Sequence, residues 1–196
     1  LNVSQERKLI MVAGGGGPAR IYQTAYKSVT GNTGAPDEAD WIGIMATRLN
    51  AQLLKAVFSD LCPDPVVYDP TAPITFSGQI LIAAGWKPGF STDNDAVLLA
   101  ERFAAKQVVN LSNIAKVYTD DPKKNPDAKP IDAISWVDFI QMVGTEWIPG
   151  KNVPFDPVAS LRAQQAGIQV ICAGGTDLDN LDHILNGRPF KGTTIG

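Results

Sequence analysis

Histidine is almost missing from this sequence, with His183 alone among 196 residues. A Ser-His-Asp triad or a multi-histidine metal centre therefore has almost no material to work with, and His183 reads as decoration on the face of a late helix. Cysteine is nearly as scarce. Cys62 and Cys172 lie far apart and neither belongs to a C-x-x-C pair, which argues against structural zinc and redox motifs and points to a reducing cytoplasm. Positive charge is in deficit, 17 Lys and Arg against 20 Asp and Glu for a net charge of −3, so a nucleic-acid polymer is not an expected partner. A small anion is not excluded, because backbone N–H groups need no global positive charge to bind one. No apolar run approaches the length of a membrane span, and Leu1-Asn2-Val3 opens without the basic and apolar regions of an export signal, so no membrane partner is expected. Internal repeats and low-complexity segments are absent too.

What is present is ordinary globular material, 44% hydrophobic and 19% charged, enough to build one core. A single domain over residues 1–196 is expected. Lys8 to Ala13 is an apolar run without polar alternation, as in a strand buried on both faces of a parallel sheet. From Asp40 to Leu61 the residues Ile42, Met45, Leu49, Leu53, Val57 and Leu61 recur every three or four positions, which predicts an amphipathic helix. Further strands are predicted at Gln79 to Ala84, Gln107 to Leu111 and Ile168 to Ala173, with helices from about Asp93 to Phe103 and Leu178 to Leu185. Asp156 with Pro157 reads as an N-cap and first helical residue, and Gly167 as the residue closing that helix. The alternation predicts an α/β fold with a mainly parallel sheet. The segment from Thr119 to Ile134, rich in Asp, Lys and Pro, reads as a functional loop.

Ligands of open α/β sheets bind beyond the carboxyl ends of strands, and the unusual residues fall there. Gly14-Gly15-Gly16-Gly17-Pro18-Ala19-Arg20 joins a strand to a helix, letting backbone approach an anion while Arg20 offers a fork of donors for phosphate. The plain alternative is a tight turn. No Gly-Lys-Ser/Thr follows, so the loop is not a Walker A motif, and its fit to G-x-G-x-x-A lacks the acidic strand end of a dinucleotide site. Gly89 to Asp95 forms a second candidate, where Thr92 or Asp93 serves either as helix cap or as phosphate ligand. Asn110 to Lys124 is the third.

Val117-Tyr118-Thr119-Asp120-Asp121-Pro122-Lys123-Lys124 resembles the nucleotide-binding segment of uridylate kinases, members of the amino-acid-kinase superfamily. The order of motifs is similar as well: the glycine loop with Arg20, Asp40-Trp41-Ile42-Gly43, Thr47-Arg48-Leu49-Asn50-Ala51, Ser91-Thr92-Asp93, Phe155-Asp156-Pro157 and Gly192-Thr193-Thr194-Ile195. The resemblance implies a three-layer α/β/α sandwich and transfer of the ATP γ-phosphoryl group to UMP. It implies UMP binding by Gly15, Gly16, Arg20, Asp40, Thr92 and Asp93, with Asp40 at the ribose. ATP would be bound by Ser112, Asn113, Tyr118, Asp121, Pro122 and Lys123, with Arg20 and Asp156 at the transferring group. Mg²⁺ would be carried on the nucleotide phosphates with no protein metal site, and the assembly would be a homo-oligomer, a hexamer. Two departures stand out. The family opens on a strand with Lys-x-Gly-Gly or a close variant that residues 1–7 do not contain, and Ala115-Lys116 stand where most relatives carry Asp-Gly. The expectation from them is a chain truncated at its N-terminus relative to the family and impaired in turnover, the alternative being a non-catalytic nucleotide-binding or storage-type oligomer.

Overall fold

The computed structural model describes residues 7–31, 33–146 and 153–196. Residues 1–6, and with them the expectation about the opening segment, lie outside the described residues. The chain divides after Leu99 into two compact units.

In the first unit β1 (Leu9–Val12) runs parallel to β2 (Ile80–Ala83), pairing Leu9 with Ile80 and Val12 with Ala83. Val67 lies on the other side of β2, bridging in parallel to Ala83. Flanked on both edges, the Ile-Leu-Ile-Ala run of β2 is buried throughout, as a strand without polar alternation must be. Helices α1 (Gly16–Thr30), α2 (Pro36–Val57) and α3 (Thr92–Arg102) complete the unit, the last residues of α3 belonging to the second. Ala13, Ala51, Cys62, Val66, Ile80, Ile82 and Ala84 form a core cluster, with Met11, Leu54, Phe58 and Tyr68 packed on it.

Helix α2 begins four residues before the predicted start, at a Pro in the first turn with Asp37 and Glu38 beside it, where the fixed φ of proline and acidic charge both suit a helix N-terminus. Its buried face is small: Gly43, Ile44, Ala46, Thr47 and Ala51. The periodic large residues point outward instead, Met45 at 58%, Leu49 at 69%, Leu53 at 64% and Val57 at 65% exposure. Periodicity located the helix. It did not tell which side faces the core, because small residues permit the closer approach of backbones.

In the second unit β3 (Gln107–Ser112), β7 (Gln169–Gly174), β8 (Thr193–Ile195) and β6 (Ala133–Ile134) form one sheet in that order. β3 with β7 and β6 with β8 are parallel, while β7 with β8 is antiparallel. A separate antiparallel pair joins β4 (Val117–Tyr118) to β5 (Pro130–Ile131). Helices α4 (Trp136–Val143), α5 (Pro157–Ala166) and α6 (Leu178–Leu185) accompany the strands. The α5 boundaries are those predicted: the Asp156 carboxylate accepts the Ala159 N–H at 2.8 Å, and Gly167 closes the helix onto Ala163 and Gln164 carbonyls. Helix α4 was not foreseen, although Ser135 and Asp138 mark its start, the Ser135 hydroxyl donating to Asp138 and accepting its N–H. Ile171, Ala173 and Ile184 make a core cluster with Val109 and Phe190 against it. The architecture is α/β with mainly parallel pairing. No helix among the described residues is long and apolar enough to cross a membrane.

Candidate functional site

Parallel pairing of β1 and β2 brings their carboxyl ends side by side, and two loops leave from there. After β1 come the four glycines. Ala19 N–H donates to Gly15 O, so the amides of Gly16 and Gly17 precede the first helical hydrogen bond and have no intrahelical acceptor. No acidic residue occupies the first turn of α1 to take that place. Gly16 has φ of 57°, a left-handed conformation that glycine adopts without strain. A Cβ on Gly15 would stand 2.5 Å from Ala19 Cβ and 3.4 Å from Gly43 O, whereas Gly14 and Gly17 open on free space. The glycine run thus seats the start of α1 against α2 and leaves the Gly16 and Gly17 amides without intrahelical acceptors, as an anion site requires. Arg20 follows on the exposed surface with no hydrogen bond among the described residues.

Helix α2 holds both loops. Asn50 Nδ2 donates to Gly14 O at 2.7 Å and, more weakly, to Gly15 O at 3.4 Å, which turns these carbonyls inward. Gly85 N–H donates to Thr47 Oγ1 at 2.8 Å, Arg48 Nη2 donates to Trp86 O at 3.0 Å, and Gly89 N–H donates to Asp40 Oδ2 at 3.2 Å. Gly89 has φ of 77°, so the turn that offers its N–H to Asp40 needs glycine. Arg48 is itself sandwiched, 4.7 Å from the Tyr68 ring centre and 5.7 Å from that of Trp41. The Thr47-Arg48-Leu49-Asn50 stretch was read as a motif without a role, and its role is to pin two loops to one helix. Thr47, Arg48 and Asn50, polar residues clustered in the middle of the helix, were the signal.

The second loop ends at α3. The helix is capped by Ser91, whose hydroxyl accepts the Asn94 N–H at 3.2 Å, and not by Thr92 or Asp93. Thr92 therefore stands at the first helical position with its hydroxyl unused among the described residues. In this way α2 gathers the glycine loop, carries Asp40 and holds the turn that leads to Thr92 and Asp93 on α3.

In the second unit the carboxyl ends of β3 and β7 are adjacent, Ser112 opposite Gly174, and Gly175 N–H donates to Ser112 O at 2.8 Å. Ser112 Oγ accepts the Ile114 N–H at 3.3 Å, and Asn113 is exposed. Ala115 lies against Gly174, where an added Cβ would be 3.8 Å from Ala115 Cα. Lys116 forms an ion pair with Asp132, so its charge is already engaged. Beyond it, Tyr118 opens the long loop. Thr119 N–H donates to Lys129 O at 2.9 Å and Lys129 N–H to Thr119 Oγ1 at 3.0 Å, closing the loop at its base. At its tip Asp121 carboxylate accepts the Lys123 N–H at 3.0 Å, a local turn that leaves Pro122 and Lys123 exposed. Asp156 is buried at the head of α5 and serves as its cap. Gly174 and Gly175, at the end of the buried strand β7, are the neighbours that the fold brings to Ser112.

A family model described as the amino acid kinase family matches residues 1–174. This chain belongs to the amino acid kinase family. Among its relatives, the uridylate kinase of Methanospirillum hungatei is 33% identical over 196 residues, covering 98% of this chain and 82% of that protein. That of Thermococcus sibiricus is 35% identical over 198 residues, with 98% and 85% covered. Among solved structures, uridylate kinase from Archaeoglobus fulgidus superposes with a TM-score of 0.81 at 28% identity, over 98% of this chain and 86% of that one. UMP kinase from Ureaplasma parvum shares the fold, with a TM-score of 0.69 at 16% identity over 99% of this chain and all of that one. The amino-acid-kinase fold expected from the motifs is the fold found.

Proposed function

We propose that this chain is an ATP-dependent UMP kinase, forming UDP and ADP in pyrimidine nucleotide synthesis. The observation that carries the reading is the pinning of the glycine loop and the Gly85–Thr92 loop to α2, which leaves the Gly16 and Gly17 amides, Arg20 and the Thr92 hydroxyl uncommitted on one unit. Likeness to uridylate kinases over 98% of this chain supports it.

In this reading Gly15, Gly16 and Arg20 receive the UMP phosphate, Asp40 the ribose, and Thr92 and Asp93 complete the acceptor side. Asp40 spends one oxygen on Gly89, so its carboxylate still has acceptor capacity for a hydroxyl. Ser112, Asn113, Tyr118, Asp121, Pro122 and Lys123 form the ATP side, and Asp156 stands near the transferring group. The donor would be Mg-ATP, the metal arriving on the nucleotide, with no protein residue assigned to hold it, and supplying neutralisation of phosphate charge. A UMP phosphate oxygen forms a bond to the γ-phosphorus as the bond to the β,γ-bridging oxygen breaks, and ADP departs. The attacking oxygen is already anionic, so positioning and charge neutralisation are the protein's task and no strong base is needed. One amino-acid-kinase domain over residues 1–196 goes with this reading, since a single family model spans both compact units. So does the cytoplasm, with both cysteines free and buried.

We also infer a homo-oligomer in which a second copy covers the outer face of α2. Met45, Leu49, Leu53 and Val57 form an uncharged ridge at four-residue spacing, suited to interdigitate with its own copy about a two-fold axis. With Trp41 and Leu61 also exposed, the patch is of order 400 Å² or more, near the upper end for a monomer surface. A hexamer is the assembly the family resemblance implies.

The decisive experiment is a coupled ADP-release assay with ATP and a panel of nucleoside monophosphates. UMP-dependent turnover is expected, with Arg20→Ala raising the UMP KM at unchanged folding stability. UMP binding by calorimetry without ADP release would refute the kinase reading in favour of a binding protein.

A further inference from the structure

Asp95 is the one buried side chain among the described residues with an oxygen that has no hydrogen-bond partner. It is 1% exposed in the first turns of α3, three residues after Thr92. Its Oδ2 accepts the Trp86 N–H at 3.2 Å, and its Oδ1 is bonded to nothing. An ionised carboxylate in that position has one weak donor for a full charge, so most of its lost hydration goes uncompensated. A neutral carboxyl fits it better. The proposed roles of Arg20, Asp40, Thr92 and Asp93 make no use of Asp95.

The charged groups around it come from every neighbouring segment. Asp69, between α2 and β2, repels a charge on Asp95, and it is itself held below the usual carboxylate range by the Thr71 hydroxyl and amide. Arg48 of α2 binds the carbonyls of Gly85 and Trp86, on the far side of the same peptide groups. Lys87 lies 3.9 Å over the Trp86 ring and 5.0 Å over that of Phe90, and Asp40 takes the Gly89 N–H. Asp93 lies two residues before it on α3. Arg48, Thr47, Asp40 and Asp95 therefore fasten one turn, Gly85–Ser91, from two helices. Of these fasteners Asp95 alone is both buried and titratable, burial pushing it up to about 7, with Asp69 adding to the rise and the Trp86 N–H offsetting part of it.

We propose that Asp95 is a positioning residue of the acceptor site, whose protonated carboxyl holds the Gly85–Ser91 turn in its binding conformation and whose ionisation releases that turn. The proposal rests on the assignment of Thr92 and Asp93 to the UMP side. When the proton leaves, the buried charge has to be hydrated or met by a cation. Either outcome pulls the Trp86 peptide from its place and disturbs the start of α3, where Thr92 sits. Phosphate binding is weakened while the transfer step, once UMP is bound, is unaffected.

The test compares the wild-type protein with Asp95→Asn, which keeps an acceptor for Trp86 N–H but cannot ionise, and Asp69→Asn, which removes the facing charge. Without nucleotide, hydrogen exchange of the 85–91 peptide, corrected for the intrinsic pH dependence of exchange, is followed from pH 6 to 8. Protection should fall about tenfold in the wild type as the competent fraction titrates away, stay level in Asp95→Asn, and fall at lower pH in Asp69→Asn. With Mg-ATP, the UMP KM should rise about tenfold over the same range in the wild type at constant kcat, and Asp95→Asn should abolish that rise. The second ionisation of the UMP phosphate, near pH 6 for a monoester, is common to all three proteins and cancels in the comparison. Identical pH dependence of protection in wild type and Asp95→Asn overturns the proposal whatever the kinetics. Protection that follows Asp95 while the UMP KM does not also overturns it, by removing the turn from the acceptor site. No UMP turnover in any of the three proteins instead defeats the kinase reading itself.

Discussion

At the scale of single residues, Asp95 couples stability to pH in a direction opposite to most carboxylates. Its folded-state value of about 7 lies above the ordinary 3.8, so between those values the native protein holds a proton that the unfolded chain has lost. Stability contributed by the neutral carboxyl is complete below about pH 4, falls as pH rises towards 7, and changes no further above it. Urea denaturation should show wild type losing up to about 4 kcal/mol relative to Asp95→Asn across that interval. A constant difference from pH 4 to 8 would show that Asp95 ionises normally. Asn50 carries a second prediction. Asn50→Ala frees the Gly14 and Gly15 carbonyls to swing outward, at a folding cost of about 1 kcal/mol. It should raise the UMP KM about tenfold, because the glycine amides lose their fixed aim. An unchanged KM in the ADP-release assay would remove Asn50 from the support of the loop.

Among the elements, the long loop after Tyr118 is closed at its base by β4 and β5 and held at its tip by the Asp121 turn, yet its residues 119–124 are exposed. It has few buried apolar contacts, which places it at the low-stability end of the fold. ATP bound by Tyr118, Asp121 and Lys123 should slow tryptic cleavage at Lys123 and Lys124 several-fold, and equal cleavage rates with and without ATP would dissociate the loop from the nucleotide. Helix α2 is the element with the most tasks. One face packs Gly43, Ala46 and Ala51 inward, its polar residues hold two loops, and its outer ridge is apolar. The 3.6-residue period was readable, but the two faces were not separable by hydrophobicity alone, since leucines stand on both sides, Leu54 on the core and Leu49 and Leu53 outward.

For the whole molecule, that outer ridge predicts the association state. Leu53→Glu puts a charge at the middle of the ridge, and sedimentation velocity should report a smaller species than wild type. Folding stability of the isolated chain should change by less than about 0.5 kcal/mol, because Leu53 is exposed there. If wild type and Leu53→Glu sediment alike, α2 is not the interface.

The sequence by itself determined the α/β class, the strand and helix order around the glycine loop, and the caps at Asp156 and Gly167, because these depend on local period, backbone freedom and the hydrogen bonds of a few neighbouring residues. It also carried the family, through motifs spaced along almost the whole chain. It did not determine α4, β6 or β8: β6 and β8 are only two and three residues long, and β8 pairs with β6 and β7 from more than 20 residues away. Only tertiary structure showed that α2 turns its large residues outward, that Lys116 is taken by Asp132, and that Asp95 is buried with one oxygen unmet. Each is a matter of which groups meet at a distance along the chain. A charged residue looks the same in sequence whether it is solvated or enclosed, and the surroundings that act on Asp95 include Trp86 and Asp69 from other segments of the chain.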